Sequence, residues 1–418
     1  MASFPASVGT EVTSTLSIDL ILTEILSNLC QKELLVCSLV SKKWNLFARK
    51  ILRDQKICLA EIHAECPCKN LKDLDGLLQT VGNNPFNGLS ITLQKTRGCD
   101  IVGHECIGSS GVSDLYSTLL EKLTVKHLKI NWLGPSNCPA AKLIENIFQE
   151  RRSILKGLAI QALPYVEEIN AFFKIEEKSK NNWLPKLEML EIPYGINETL
   201  LYTLLDGAPQ LKEILGAINP REVELLMGKN KAHLIKEFEF QLVPGDIPVC
   251  LNFASLQPKL HKLMTSLEGY LPSGSMSSFC EVLKKLLESS NKLQILKVDL
   301  LSLIWIASVG ISETRNISQL QIAYDDTIDT NLNCFSLGKV NLIPLFPKIK
   351  SVIITFKRLG LDDTREFLPQ EFQQIQDVFV CPNVKSVAIE GSDFMPPNFR
   401  ASVTRCFPSA SILFDPLE

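Results

Sequence analysis

The 418-residue sequence lacks an excess of either charge, a long apolar run and much histidine. Forty-three Lys+Arg against 46 Asp+Glu leave a net charge of −3, which supplies neither the electrostatic footprint of a nucleic-acid binder nor a polybasic membrane anchor. The longest apolar stretches, such as 298–310, fall short of the ~20 residues a membrane span needs, and Asp299 and Ser302 interrupt that one. Thirteen cysteines, irregularly spaced, are too few for a disulfide scaffold and read as small buried hydrophobes. The opening run MASFPASVGTEVTSTLS has no basic or apolar core and the closing FDPLE no lipidation motif, so neither a secretory signal nor an anchor is expected. These absences predict a soluble protein of a reducing compartment, cytoplasm or nucleus. Hydrophobic residues at 45% and charged residues at 21% are globular values and exclude wholesale disorder.

What the chain does have is a repeat. Apolar residues recur at x, x+3 and x+5: Leu187/Leu190/Ile192, Ile235/Phe238/Phe240, Leu293/Leu296/Val298, Ile349/Val352/Ile354 and Val384/Val387/Ile389 are the clearest copies. Leu211/Ile214/Gly216, Leu260/Leu263/Thr265 and one copy starting at Leu320 are weaker. Phe86/Leu89/Ile91, Val125/Leu128/Ile130 and Leu155/Leu158/Ile160 extend the series upstream, and Ser409/Ile412/Phe414 closes it. From position 187 the starts lie 24, 24, 25, 33, 27, 29 and 35 residues apart, and Pro185, Pro209, Pro258, Pro347 and Pro382 each stand two residues ahead of a copy.

Positions x+3 and x+5 form a minimal strand with both side chains on one face. Proline at x−2 stops a preceding helix and releases the chain into the strand. Between strands the period turns helical, as in Leu200/Leu201/Leu204/Leu205 between Asn197 and Gly207, in Leu143/Ile144/Ile147/Phe148, and in Phe279/Val282/Leu283/Leu286/Leu287. One strand and one helix cannot bury a core alone, whereas stacked copies can. The expected fold is an α/β solenoid with parallel strands inside and helices outside. An α/β domain with a single parallel sheet is the alternative. The triplets resemble irregular leucine-rich repeats, which implies a horseshoe over 86–418.

Residues 16–53 follow another pattern. Leu22, Ile25, Leu26 and Leu29 make an apolar helical stripe, with Ser17 as its cap and Asp19 in its first turn. A second short helix is expected over Glu33–Cys37 and a third over Leu39–Phe47, with Val40 and Trp44 four apart. Three helices this short bury too little surface to be comfortable alone.

The run Leu16-x-x-Asp19-Leu20-x-x-x-Glu24-Ile25-Leu26-x-x-Leu29, then Glu33-Leu34-Leu35, then Leu39-Val40-Ser41-Lys42-Lys43-Trp44, resembles an F-box. The family opens with Leu-Pro where this chain has Leu16-Ser17. The resemblance implies a tail over 1–15, a three-helix F-box over 16–56, a helical connector over 57–85 and the repeats. It further implies a substrate receptor of an SCF-type cullin ubiquitin ligase. Leu16, Ser17, Leu20, Ile25, Leu29, Leu34, Val40 and Trp44 would meet the Skp adaptor, which links to the cullin, and the repeats would hold a target protein. The alternative is a non-degradative scaffold with a decayed F-box.

Side chains at x+4 and x+6 alternate with the buried ones and should face solvent on the concave side. They include Lys129, Asn131, Glu191, Glu239, Gln241, Lys297, Asp299, Thr355 and Glu390, with Trp132 and Tyr194 as nearby aromatic anchors for a target. Their signs are mixed and single out no ligand class. His63, Cys66, Cys68, Cys99, His104 and Cys106 are the candidate metal ligands, but Cys66/Cys68 and His104/Cys106 each enclose one residue, tighter than structural zinc pairs. No phosphate loop, dinucleotide fingerprint or zinc-protease motif occurs. No metal, cofactor, nucleic-acid or membrane site is expected, and no catalysis.

Overall fold

A computed structural model describes residues 19–63, 85–93, 118–132, 139–162, 182–193, 195–241, 244–266, 275–299, 302–303, 306, 316–324, 345–356, 383–390 and 403–415. The chain divides into two compact units, Met1–Glu191 with Thr199–Lys212, and Ile192–Glu198 with Glu213–Glu418.

The first unit opens with three helices, α1 (19–27), α2 (Gln31–Cys37) and α3 (Lys42–Gln55). Parallel strands follow in chain order: β1 (Leu59–His63), β2 (Gly88–Leu93), β3 (His127–Trp132), β4 (Gly157–Ala162) and β5 (Met189–Glu191). The register follows the triplets. Leu89 pairs with Leu128, Leu128 with Leu158 and Leu158 with Leu190, so x+3 meets x+3 and one face of the sheet is a continuous apolar ladder. Helices α4 (Pro139–Glu150) and α5 (Glu198–Gly207) bury Leu143, Ile144, Ile147 and Phe148, and Leu200, Leu201, Leu204 and Leu205, as their period requires. Asn87 ties the opening helices to this sheet: its amide nitrogen donates to Arg53 O (2.9 Å) and Lys56 O (2.6 Å), and its Oδ1 accepts from Cys58 N (3.0 Å).

In the second unit β6 (Glu213–Leu215) bridges to the chain ahead of β7 through Ile214 and Ile235. Gly216 takes the third triplet position there because its φ is +109° and a Cβ would strike the Ile192 carbonyl oxygen. A seven-stranded parallel sheet follows in chain order: β7 (Glu237–Gln241), β8 (Lys262–Ser266), β9 (Ile295–Asp299), β10 (Gln319–Tyr324), β11 (Ser351–Phe356), β12 (Ser386–Glu390) and β13 (Ser411–Asp415). Phe238, Leu263, Leu296, Leu320, Val352, Val387 and Ile412 form its x+3 ladder. Helices α6 (Pro220–Gly228), α7 (Ile247–Ser255) and α8 (Ser275–Ser289) lie between the earlier strands in the chain. Phe238 packs edge-on against Phe253 of α7, and Phe240 lies tilted against Phe279 of α8.

Two boundaries differ from the sequence expectation. The connector expected to be helical over 57–85 begins with β1, whose Ala60 and Ile62 are buried and pair with Leu89 and Ile91. Small Ala60 hid that copy in the sequence. The copy placed at Leu320 starts at Ile317, because Leu320 pairs with Leu296 and Val352, both x+3 residues. Among the described residues, no helix is long and apolar enough to cross a membrane.

Candidate functional site

Helices α1 and α2 carry large apolar residues on more than one face and turn only one face inward. Leu22 and Leu26 of α1, Leu34 of α2, and Ala48, Ile51 and Leu52 of α3 form a buried core with Cys58, flanked by half-buried Leu29, Cys37, Trp44, Phe47 and Phe86. Leu20, Ile21 and Ile25 of α1, Leu35 and Val36 of α2, and Leu46 of α3 point to solvent. Between α2 and α3 the turn 38–40 adds Leu39 and Val40. Exposure reaches 70% at Leu20, 65% at Val36, 83% at Leu39 and 63% at Val40. Single exposed apolar residues are ordinary, but this many along forty residues mark a surface that waits for cover.

The turn carrying Leu39 and Val40 is fixed from beneath. Leu39 N donates to Val36 O (3.0 Å) and Val40 N to Cys37 O (3.1 Å), while Asn45 Nδ2 holds Ser38 O (2.8 Å). Ser41, the serine of the Leu-Val-Ser run, caps α3 by accepting from Trp44 N at 3.2 Å. Glu33 closes a reciprocal cap on α2: its Oε2 accepts from Cys30 N at 2.7 Å, and that backbone donor holds its carboxyl below the usual range. Lys43 pairs with Asp19 at 2.5 Å, fastening α3 to α1 at a partly exposed position. The surface is therefore preorganised, which lowers the ordering cost of binding.

Of the sequence-derived contacts, Leu20, Ile25 and Val40 lie on this surface. Leu34 is fully buried, a support for the surface and not part of it, and Leu29 and Trp44 pack half-buried on the same core. Helix α3 starts at Lys42, so Val40 sits in the turn and shares no helical face with Trp44. Leu16 and Ser17 lie outside the described residues. Sequence reasoning overlooked Ile21, Leu35, Val36, Leu39 and Leu46. The adjacent pair Leu34-Leu35 held the signal, since one of two neighbours on a helix must face away from its core.

Comparison with known families settles what this segment is. Residues 16–56 match the F-box domain family. F-box domains bind the Skp adaptor, so the match points to an SCF-type substrate-adaptor role in general terms. No curated protein matches the chain.

The residues expected to face a target divide. Lys129, Asn131, Glu191, Glu239, Lys297, Thr355 and Glu390 are half-buried in their strands, alternating with buried neighbours, and Thr355 Oγ1 donates to Glu390 Oε2 at 2.8 Å. Asp299 corrects the expectation: it is buried, its Oδ1 accepting from Ser302 N (2.8 Å) and its Oδ2 from Ser302 Oγ (2.6 Å). It caps the helical residues at 302–303, a local demand that the strand period does not reveal. Trp132 and Gln241 close β3 and β7, while Tyr194 lies outside the described residues, as do Cys66, Cys68, Cys99, His104 and Cys106. His63 closes β1, and among the described residues no metal-ligating cluster occurs. Cys250 and Cys280 are buried, and burial pushes both thiols up to about 12, which keeps them protonated and inert.

Proposed function

We propose that this chain is the substrate-recognition subunit of an SCF-type cullin ubiquitin ligase, with its opening helices docked on the Skp adaptor and its strand-helix copies acting as leucine-rich repeats that hold a target protein. The observation that carries the reading is the apolar surface of Leu20, Ile21, Ile25, Val36, Leu39 and Val40 on the segment that matches the F-box. Covering a large apolar side chain is worth roughly 1.5–3 kcal/mol, so five or six offset the ~4–15 kcal/mol cost of association. The solenoid reading is supported by strands that follow one another in chain order, x+3 against x+3, with apolar helices between them. The receptor does no bond chemistry. Its contribution is effective concentration, holding a target lysine beside activated ubiquitin. Buried thiols at Cys250 and Cys280 favour a reducing setting, cytoplasm or nucleus.

The test is affinity purification from cells of wild type against Leu20→Asp combined with Val40→Asp. Both residues are exposed, so the variant folds, and it should lose adaptor and cullin together. Equal recovery of the adaptor by the variant refutes the reading, and a wild type that recovers neither subunit identifies a non-degradative scaffold.

A further inference from the structure

The second unit carries a groove of about 1060 Å³ at the N-terminal edge of its strands. The repeat builds it. The residue at x+1 stands just ahead of each strand, and its backbone carbonyl accepts from the x+1 amide of the next copy. His261 N donates to Lys236 O (2.7 Å), Gln294 N to His261 O (2.9 Å), Ser318 N to Gln294 O (2.9 Å), Lys350 N to Ser318 O (2.8 Å) and Lys385 N to Lys350 O (2.8 Å). These residues therefore stack at strand spacing, ~4.8 Å apart. The x−1 positions add a second row with Lys259, Lys292 and Lys348.

Lys259, Lys292, Lys348, Lys350 and Lys385 are exposed and Lys236 is half-buried. Glu213, at one end, is the groove's one lining carboxylate among the described residues. No described carboxylate pairs with Lys236, Lys259, Lys292, Lys350 or Lys385, and Lys348 donates to Asn316 Oδ1 at 2.9 Å. At the corresponding edge of the first unit the x+1 row is Asn87, Lys126, Lys156, Glu188 and Lys212, a shorter run of cations in which Glu188 and Lys212 neutralise each other at 2.7 Å. A chain of net charge −3 thus gathers Lys236, Lys259, Lys292, Lys348, Lys350 and Lys385 along this edge of the second unit's sheet.

We propose that this groove docks an extended peptide segment rich in Asp and Glu. Lysines are point charges that suit scattered carboxylates, and among the described residues the lining has no arginine for bidentate phosphate recognition. Its described residues also include no Phe, Tyr or Trp on which nucleic-acid bases stack. Asn291, Gln294, Asn316, Ser318 and Asn383 lie between the cations and match the amides of a peptide backbone. The five strand spacings from Lys236 to Lys385 are spanned by roughly seven extended residues at ~3.4 Å each. The assignment goes beyond adaptor docking, since it uses other residues in the other unit.

The test uses the full chain and the fluorescence anisotropy of a labelled peptide of about twelve residues, alternating Asp-Glu, Ser and Gly. Binding should weaken about tenfold or more when the acids become Asn and Gln, or in the Lys292→Glu/Lys350→Glu/Lys385→Glu variant. Lys126→Glu/Lys156→Glu in the first unit should leave affinity within about twofold. Raising salt from about 50 to about 200 mM should weaken wild-type binding several-fold. Undiminished binding by the triple variant, whose fold is checked by its melting temperature, or by the neutral peptide, overturns the proposal. Tighter capture of a single-stranded oligonucleotide, or of a peptide whose only acids are phosphoserines, overturns the carboxylate assignment. Adaptor recovery by the triple variant stays at the wild-type level, so the two readings fail separately.

Discussion

The opening helices and the strand copies draw on the same apolar residues and dispose of them in opposite ways. In the strands, Leu128, Leu158 and Leu190, or Leu296, Leu320 and Val352, are each covered by the next copy, and all are at most 1% exposed. The helices have no next copy. Helix α2 buries Leu34 and leaves Leu35 and Val36 bare, and the turn after it leaves Leu39 and Val40 bare. A periodic segment satisfies its apolar faces internally because every face meets its own likeness. A short aperiodic bundle cannot, and its surplus becomes either a liability or a binding surface. The F-box match over residues 16–56 is what favours the second under the proposed function.

The sharpest way to separate the two kinds of apolar residue is to truncate one of each. Leu34→Ala removes a fully buried side chain from the helical core and should cost about 2–5 kcal/mol in chemical denaturation. Val40→Ala, on the bare turn, should stay within about 0.5 kcal/mol and still weaken adaptor capture. If the two substitutions cost the same stability, the division between core and surface is wrong.

Much of this was legible in the sequence because both signals are periodic. The x, x+3, x+5 spacing located the strands and, through the helical runs, the helices between them. What stayed hidden depended on single contacts. Ala60 is too small to announce a strand, and only its pairing with Leu89 reveals the copy. Leu320 is apolar at either position of a triplet, so the register and not the composition places it at x+3. Asp299 read as a solvent-facing strand residue, yet its carboxylate is taken by Ser302 three residues on. In the helical segment the motif was readable, but which of Leu34 and Leu35 turns inward depends on where α2 starts, and Glu33 with Cys30 fixes that start.

Within the repeats, buried polar groups offer the next largest effects. Glu222 is buried on α6, its Oε1 accepting from Gly195 N (2.8 Å) and Ile196 N (3.1 Å) and its Oε2 from Asn219 N (2.7 Å). Glu222→Ala orphans these donors at ~1–3 kcal/mol for each that stays unsatisfied, so a loss of about 3 kcal/mol is expected. Burial raises the Glu222 carboxyl above its ordinary value against the pull of those donors. Its contribution to stability is therefore greatest below the unfolded pKa near 4.5 and is lost as pH rises through the folded value. In Glu222→Gln, whose amide cannot ionise, that pH-dependent part should vanish from the unfolding curve. A smaller loss, about 1–3 kcal/mol, is expected for Gly157→Ala. A Cβ there would stand 2.5 Å from His127 Nδ1 and 2.9 Å from Met189 Cε, the side chains on either side of it in the sheet. Removing the imidazole as well, in Gly157→Ala/His127→Ala, should recover part of the loss, and no recovery would mean that the glycine serves its own backbone.

The smallest effect also falls on His127. His127 sits between Gly88 and Gly157 on the neighbouring strands, and Gly157 leaves room for the ring. Burial lowers its pKa, Lys156 and Lys126 lower it further, and Glu188 opposes them weakly. A depressed pKa means the folded chain favours the neutral ring. The sheet thus keeps this contribution above the unfolded value near 6.5 and loses it as pH falls through the folded value. The melting temperature of wild type should fall on acidification from about pH 7 to about pH 5 by more than that of His127→Gln, with the difference confined to that window. Glu188→Gln removes the one opposing charge and should widen the difference, because the ring is then harder to protonate in the fold. Parallel melting curves for wild type and His127→Gln across the window would show that the ring is as well solvated in the sheet as in the unfolded chain.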